Sequence, residues 1–176
     1  MRILAIDPGN TESGYALINH GSCYPLDVGK INNTDLRARL KNGSLLVGVD
    51  QISIEMIASY GMAVGKEVFE TCVWIGRFIE VAQTSDVELV YRKDIKLHHC
   101  GTTKAKDSNI SQALVDRFAS GVGNHGKGSK AAPGWFHGFK ADIWAAYALA
   151  VYTADTIATQ RSVEASLRTG AREAAS

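Results

Sequence analysis

The sequence predicts an α/β domain in which helices pack on a mixed β-sheet. Short β-favouring runs separated by turn residues fill roughly the first 30 positions, and a nearly continuous apolar run spans 44–57. After that run, segments with helical spacing alternate with short strands, which is typical of this class. The 176 residues are enough for one ordinary domain with its own core.

The N-terminal segment is predicted to be a β-hairpin followed by a third strand. Residues 2–7 and 14–19 favour strands and flank a turn, 8–13, that contains Pro, Gly and Asn. Residues 24–30 form a third short run that extends the meander. The first 30 residues therefore predict three sequential strands.

The middle of the chain alternates helix and strand signals. A short basic helix is predicted over 35–41 with Thr34 as its N-cap, and a strand over 44–57 whose apolar residues indicate burial on both faces. Apolar side chains recur three or four positions apart over 61–82, which predicts an amphipathic helix. Residues 86–91 are predicted to form the last strand.

The C-terminal part is predicted to be helical around one glycine-rich loop. A helix over 108–119 leads into 121–136, which contains five glycines, and a long Ala-rich helix follows over about 141–159. We expect one domain over 1–158 and a tail or added helix over 159–176.

Composition excludes a membrane protein and leaves nucleic acid open as a partner. No apolar run approaches the ~18 residues of a membrane span, and Asp7 interrupts the first apolar run too early for a signal peptide. The 19 Lys and Arg nearly balance the 18 Asp and Glu, yet a local patch can be basic while the total cancels. Three cysteines without a CxxC pair indicate reduced thiols. We expect a soluble, cytoplasmic protein.

Three acidic side chains occupy positions where the pattern calls for apolar ones. Asp7 ends the first strand, Glu55 lies inside the buried strand, and Asp142 begins the last helix. Each has a local explanation: Asp7 could cap the turn, Glu55 could face solvent at the strand end, and Asp142 could interact favourably with the helix dipole in the first turn. Since a lone buried carboxylate is costly, their combination instead predicts a convergent set of hard oxygen ligands. Such a set favours Mg²⁺ or Mn²⁺, and two ions would suit phosphoryl transfer.

The order of these motifs resembles that of RuvC-type Holliday-junction resolvases, within the ribonuclease H-like superfamily. IDPGNTESGYALI (6–18) is similar to the family's first motif, in which Asp-Pro-Gly follows one strand and Gly with an aromatic residue begins the next. Glu55 in IEM and Asp142 in ADIWAAYALAV match the two later acids. The resemblance covers about 1–153 and implies a mixed five-stranded sheet with helices on both faces.

The resemblance also gives a role to the glycines of the first motif. We expect Pro8 and Gly9 to turn the chain beside a bound phosphate, and Gly14 to let the second strand pass close to the site. The first strand would then position Asp7 at the metal.

The last helix departs from the family pattern, which places two metal-facing groups three residues apart. Asp142 is followed at that spacing by Ala145. Either Asp142 supplies the last acid alone, or His137 upstream provides a second ligand. Shifting the register puts Asp142 in the second acid position and leaves Phe139 in the first, where it cannot bind metal. A weakened or differently built metal site stays an open interpretation.

Lysines on the connection before the predicted helix 108–119 correspond to the family lysines that hold the scissile phosphate. Lys96 aligns well, whereas Lys104 and Lys106 align only roughly, because the gapless match to the second family lysine falls on Asp107. The alternative is a solvated basic loop. If these lysines neutralise phosphates, affinity for DNA falls with salt.

Further DNA contacts are predicted in two loops. Tyr60, with Met62 beside it, corresponds to a family aromatic residue that packs against unstacked bases at the junction centre; loop packing is the alternative. Lys127 and Lys130 lie in the 121–136 loop, which is either a disordered clamp over DNA or a linker.

The predicted helix 61–82, which includes Trp74 and Phe78, is apolar on all sides. The resemblance implies that this helix builds a homodimer and so places two active sites on opposite strands of a two-fold junction. Core packing is the alternative explanation. Together these features predict a Mg²⁺-dependent Holliday-junction resolvase, with Mn²⁺ as a substitute and no small-molecule cofactor, in a bacterial cell or a phage-infected host.

Three other functions remain open. The first is a ribonuclease H-like nuclease that acts on other branched DNA. The second is an actin-like sugar kinase or ATPase fragment, which needs a second glycine hairpin and about twice the length. The third is a catalytically silent junction-binding protein, which Ala145 alone indicates.

Overall fold

A five-stranded mixed sheet forms the centre of the chain. The computed structural model describes residues 1–59, 61, 63–82 and 87–173, with side chains described up to 168; the predicted base contacts Tyr60 and Met62 lie outside this set. The strands are β1 (Arg2–Asp7), β2 (Glu12–Asn19), β3 (Pro25–Asn32), β4 (Val49–Met56) and β5 (Val87–Tyr91). The helices are α1 (Asn33–Lys41), α2 (Lys66–Val81), α3 (Arg92–Cys100), α4 (Asp107–Phe118) and α5 (Ala141–Glu173), with a 3₁₀ turn at Asn124–Gly126.

The strand order is β3-β2-β1-β4-β5. The first three strands form an antiparallel meander, whereas β4 and β5 run parallel to β1. The carboxyl ends of β1, β4 and β5 therefore meet at one edge of the sheet, which is where open α/β sheets commonly bind ligands. The mixed five-stranded sheet predicted from the sequence is confirmed.

Helices cover both faces of the sheet, as predicted. Ile3 and Ala5 of β1 pack with α3, α4 and α5, while Leu4 and Ile6 pack with α1 and α2 on the opposite face. This alternation follows from the two-residue period of a strand. It also places Asp7, two residues beyond Ala5, on the α5 face.

The predicted strand over 44–57 is shorter than expected. It begins at Val49, and residues 42–48 form turns in which Gly43 and Gly48 adopt positive φ. Leu45 in this segment is nonetheless buried in the core beside α1 and α2. A turn whose apolar side chains are buried cannot be distinguished from a strand by hydrophobicity alone.

Helix α3 was not predicted, and two other helices have different bounds. Only Ile95 of α3 is buried, so its sequence has no apolar stripe; the missed signal is Gly101, a left-handed C-cap whose N–H donates to Leu97 O. Helix α2 begins at Lys66 rather than 61. Helix α5 continues beyond 159, and its residues 158–168 are exposed. The division into 1–158 and 159–176 stays a prediction.

The glycine-rich loop 121–136 is folded, which corrects the expectation of a disordered clamp. Backbone hydrogen bonds join Gly134 N to Lys127 O at 3.0 Å and Phe136 N to Gly126 O at 3.1 Å. Phe136 is fully buried against the rings of Trp144 and Tyr147, so the loop is anchored to α5. Within the described ranges, no helix combines the length and apolar character of a membrane span.

Candidate active site

Asp7, Glu55 and Asp142 line one cavity of about 340 Å³ at the carboxyl ends of the parallel strands. Arg92 and Asp107 line the same cavity, and we call it the acid cavity. The three acids come from β1, β4 and α5, which are far apart in sequence. The structure therefore brings together the three acids that the sequence singled out.

Strand register places Asp7 and Glu55 side by side at the sheet edge. Ile6 pairs with Ile54 in the parallel β1–β4 ladder, so each acid follows its paired residue by one position. Glu55 shares a face with Ser53, whose Oγ accepts a 2.8 Å hydrogen bond from Thr153 Oγ1 of α5. Both acids thus point to the side of the sheet that α5 covers.

Gly14 lets the first turn of α5 approach the hairpin. It pairs with Asp7 in the β1–β2 ladder, and a Cβ atom at this position would overlap the backbone carbonyl of Asp142. The close approach expected at Gly14 is present, and the partner is the acid-bearing helix. Any larger residue here would separate Asp142 from Asp7.

A buried polar network fixes the turn that follows Asp7. Ser13 and Asn33 are both buried; Ser13 Oγ donates to Asn33 Oδ1 at 2.6 Å, and Asn33 Nδ2 donates to Gly9 O at 2.9 Å. Because buried polar groups are costly unless paired, this network holds the turn in one conformation. Sequence reasoning missed Asn33, since an Asn before a helix is ordinary.

The acid cavity concentrates negative charge. Burial raises the pKa of Asp7 to about 8, assisted by the nearby charges of Glu55 and Asp142 and opposed by Arg92. Burial also raises the pKa of Glu55, against the lowering effect of Arg92. Asp7 is therefore protonated near neutral pH unless a cation enters the cavity.

Two basic side chains hold the other acids, and the sequence interpretation missed both. Arg92 donates from Nη1 to Glu55 Oε2 at 3.1 Å and from Nη2 to Asp107 Oδ1 at 2.6 Å. Lys30 Nζ lies 2.7 Å from Asp142 Oδ2 and 3.3 Å from Glu12 Oε2.

Both residues could have been found from topology. Arg92 directly follows β5, whose carboxyl end lies beside that of β4, because Met56 pairs with Tyr91. Lys30 pairs with Gly14 in the β2–β3 ladder, and Gly14 lies against Asp142. Neither position has a sequence signal of its own, since a basic residue near a strand end is common.

The donor set fits a hard divalent cation, although the side chains are not arranged as a ready coordination shell. Among the residues that the structure describes, no group of three or more His, Cys, Asp or Glu side chains could hold a metal ion as it stands. Glu55 and Asp142 are instead engaged by Arg92 and Lys30. Carboxylate oxygens are the ligands Mg²⁺ and Mn²⁺ prefer, so binding would require these two acids to exchange their partners.

The structure does not bring His137 to the acids. Its Nδ1 lies 3.2 Å from Lys127 O, and the side chain lines a separate cavity of about 140 Å³ with Trp135 and Phe139. Ala145 does line the acid cavity, and the described lining from α4 includes Asp107 and Ser108. Phe139 is buried in the core.

The predicted phosphate-binding lysines are not among the described residues that line the acid cavity, and they differ in exposure. Lys96 is half-buried on α3, and its charge lowers the pKa of Glu55 slightly. Lys104 and Lys106 are exposed on the connection between α3 and α4. In the glycine-rich loop, Lys127 is half-buried and Lys130 is exposed.

No protein-family model matches the chain, and no curated protein sequence matches it significantly. Its fold is similar to the Thermus thermophilus RuvC structure, with a TM-score of 0.63, and to that of T. thermophilus RuvC in complex with a Holliday junction substrate, with a TM-score of 0.62. Each comparison covers 86% of this chain and 92% of the other at 15% sequence identity. This likeness confirms the predicted fold.

Proposed function

We propose that this chain is a metal-dependent endonuclease that resolves Holliday junctions. The observation that carries the proposal is the convergence of Asp7, Glu55 and Asp142, from three separate elements, on one cavity. The fold is also similar to that of T. thermophilus RuvC in complex with a Holliday junction substrate, which supports branched DNA as the substrate. Three carboxylates close together in a partly buried cleft repel one another, which is electrostatically unfavourable. Such an arrangement favours a catalytic role for these residues.

Asp7, Glu55 and Asp142 would hold Mg²⁺, with Mn²⁺ as a substitute. Bound there, two ions would lower the pKa of water and neutralise charge on the scissile phosphate. The chain's own contribution is orientation: Arg92 holds Glu55 from one side, and Lys30 holds Asp142 from the other. Both bases lie beside the acids and can turn to a phosphate oxygen when the acids are taken by a cation.

Binding and cutting are assigned to different side chains. Lys96, Lys104 and Lys106 neutralise phosphates on the approach to the cavity, and Tyr60 with Met62 contacts unstacked bases. Phosphate neutralisation makes binding salt-dependent and independent of sequence. Cutting, in contrast, depends on the acids.

A homodimer is proposed through α2. Phe78 belongs to the core and cannot form an interface, but Phe69 and Val73 expose 61% and 52% of their surface on the outer side of the helix. With Cys72 and Gly76, also exposed, they form a stripe at helical spacing. Two copies of this stripe would pack isologously and present two acid cavities to a two-fold junction.

The test is a substrate panel for the purified protein in Mg²⁺: a four-way junction, a flap, a linear duplex and an RNA–DNA hybrid of matched sequence. We expect paired, symmetric nicks in the four-way junction and little cleavage of linear duplex. Preference for the flap or hybrid would instead indicate another ribonuclease H-like nuclease.

A second candidate function is a junction-binding protein with little or no nuclease activity. Ala145 supplies no second ligand, and the acids in the described residues form no ready metal group. Tight junction binding without cutting in Mg²⁺ or Mn²⁺ would identify this function.

A further inference from the structure

A second cavity of about 360 Å³ adjoins the acid cavity along α4, and we call it the side cavity. It shares Ser108, Ser111 and Trp144 with the acid cavity, so the two cavities have a common wall. The glycine-rich loop closes its far side with His125 and Lys127. Its volume lies at the lower end of the roughly 300–1,000 Å³ typical of small-molecule sites.

The lining of the side cavity suits an anion attached to a flat ring. Among the described residues, no Asp or Glu lines it, and Lys127 has no ion-pair partner in the part of the chain that the structure describes. Trp144 is held in place by Phe136 and Phe139, with ring centroids 4.6 and 5.0 Å away. The cavity thus combines a half-buried free cation with a fixed indole.

His125 is held in an unfavourable backbone conformation at the mouth of this cavity. Its φ and ψ are 50° and 33°, in the left-handed region that disfavours residues with a Cβ atom. Asn124, the preceding residue, also adopts positive φ, and Gly123 and Gly126 flank this pair. Strain kept at a non-glycine residue in a cleft is a recognised mark of a functional side chain.

We propose that the side cavity binds the nucleotide next to the scissile phosphate, with its base unstacked from the DNA. Lys127 binds the phosphate of that nucleotide, and the base lies against the rings of His125 and Trp144. The common wall with the acid cavity places this nucleotide beside the one that is cut. The inference rests on the proposed nuclease function and assigns a nucleotide-binding role to the glycine-rich loop.

The test uses a labelled four-way junction and the full-length protein in EDTA, so that binding is measured without cutting. We expect Lys127→Ala to weaken binding about threefold or more and to lower the slope of log affinity against log salt by about 1. Lys140→Ala is the matched control, since Lys140 is exposed and lines neither cavity. Equal binding by the two variants overturns the phosphate contact.

His125→Gly separates a binding role from a structural one. Glycine adopts positive φ readily, so this variant should melt at the same temperature as wild type or higher. Its junction affinity should nonetheless fall about fivefold or more, the effect expected for one base–aromatic contact. His137→Ala is the control. A lower melting temperature, or unchanged affinity, overturns the base contact.

The position of the unstacked base is measured by the fluorescence of 2-aminopurine, which is placed at successive positions around the crossover. Fluorescence should change on binding at one position next to the cut, and this change should be altered in His125→Gly. A uniform response that ignores His125 overturns the inference while leaving junction cleavage intact. If wild type neither binds nor cuts branched DNA, the proposed function itself fails.

Discussion

The acid cavity and the side cavity share one wall but have opposite electrostatic character. Arg92 is the only basic side chain described in the lining of the acid cavity, where the carboxylates are those of Asp7, Glu55, Asp107 and Asp142. The described lining of the side cavity has no carboxylate and one lysine. A few residues of α4 and α5 therefore separate a place suited to cations from one suited to anions. The contrast predicts that the proposed DNA binding and the proposed cleavage can be removed independently.

The substitution Asp7→Asn should have the largest effect, and it tests whether cleavage can be lost without loss of DNA binding. We expect cleavage of the four-way junction to fall on the order of a hundredfold or more, because a core ligand of the proposed metals is lost. Junction affinity in EDTA should change little, since phosphate binding resides in the lysines. Asp35→Asn, in the first turn of α1, is the control. Loss of binding together with cleavage would contradict the division of roles.

Arg92→Gln removes the only described basic side chain that lines the acid cavity. It breaks the links to Glu55 and Asp107, and we expect the free energy of unfolding to fall by about 1–3 kcal/mol, as for other charged hydrogen bonds. Urea denaturation in EDTA measures this change. Lys93→Gln, at the next and exposed position, should have almost no effect; equal losses in the two variants would refute a specific role for Arg92.

Gly14→Ala disturbs the acid cavity by shape rather than charge. The added methyl group overlaps the backbone of Asp142, and we expect about 1–3 kcal/mol of destabilisation, typical of overpacking. Cleavage should fall as Asp142 moves from Asp7. In Gly21→Ala, the nearest atom to the new methyl group is 3.7 Å away, so this control should unfold like wild type. Indistinguishable denaturation midpoints would argue against the close approach.

The last expected effect is a pH dependence that arises in the acid cavity. The folded pKa of Asp7, about 8, lies above the ordinary value of 3.8, so the folded state retains a proton that the unfolded state has lost between these values. Metal-free stability therefore decreases as pH rises from about 4 to 8. Asp7→Asn should melt higher than wild type at pH 8 in EDTA, with the difference vanishing near pH 4. A difference that is constant with pH would show that Asp7 is not the group that titrates.

The acids could be predicted because each one interrupts an apolar pattern. Asp7, Glu55 and Asp142 can be recognised from the sequence alone, and the sheet topology then brings them together. Arg92 and Lys30 do not stand out, since their roles depend on which strands become neighbours. The same limit explains why the side cavity was not anticipated from the sequence.

Secondary structure was predictable where burial followed a regular period. The strands of the N-terminal meander were placed to within a few residues because turn residues bound them. Helix α3 was missed because Ile95 is its one buried residue, and residues 44–48 were assigned to a strand because a buried turn is equally apolar. The fold class depends on the regular elements, and so it was correctly predicted.

The docking of α5 on the hairpin has a consequence for the chain while it is being synthesised. Ile3, Ala5, Ala16 and Ile18 bury their side chains against α5, which begins only at Ala141, and Asp142 belongs to that same helix. The first hairpin is therefore synthesised well before the helix that covers it, and its uncovered apolar face invites aggregation in the meantime. A nascent chain that lacks α5 also lacks Asp142 and so has no complete acid cavity.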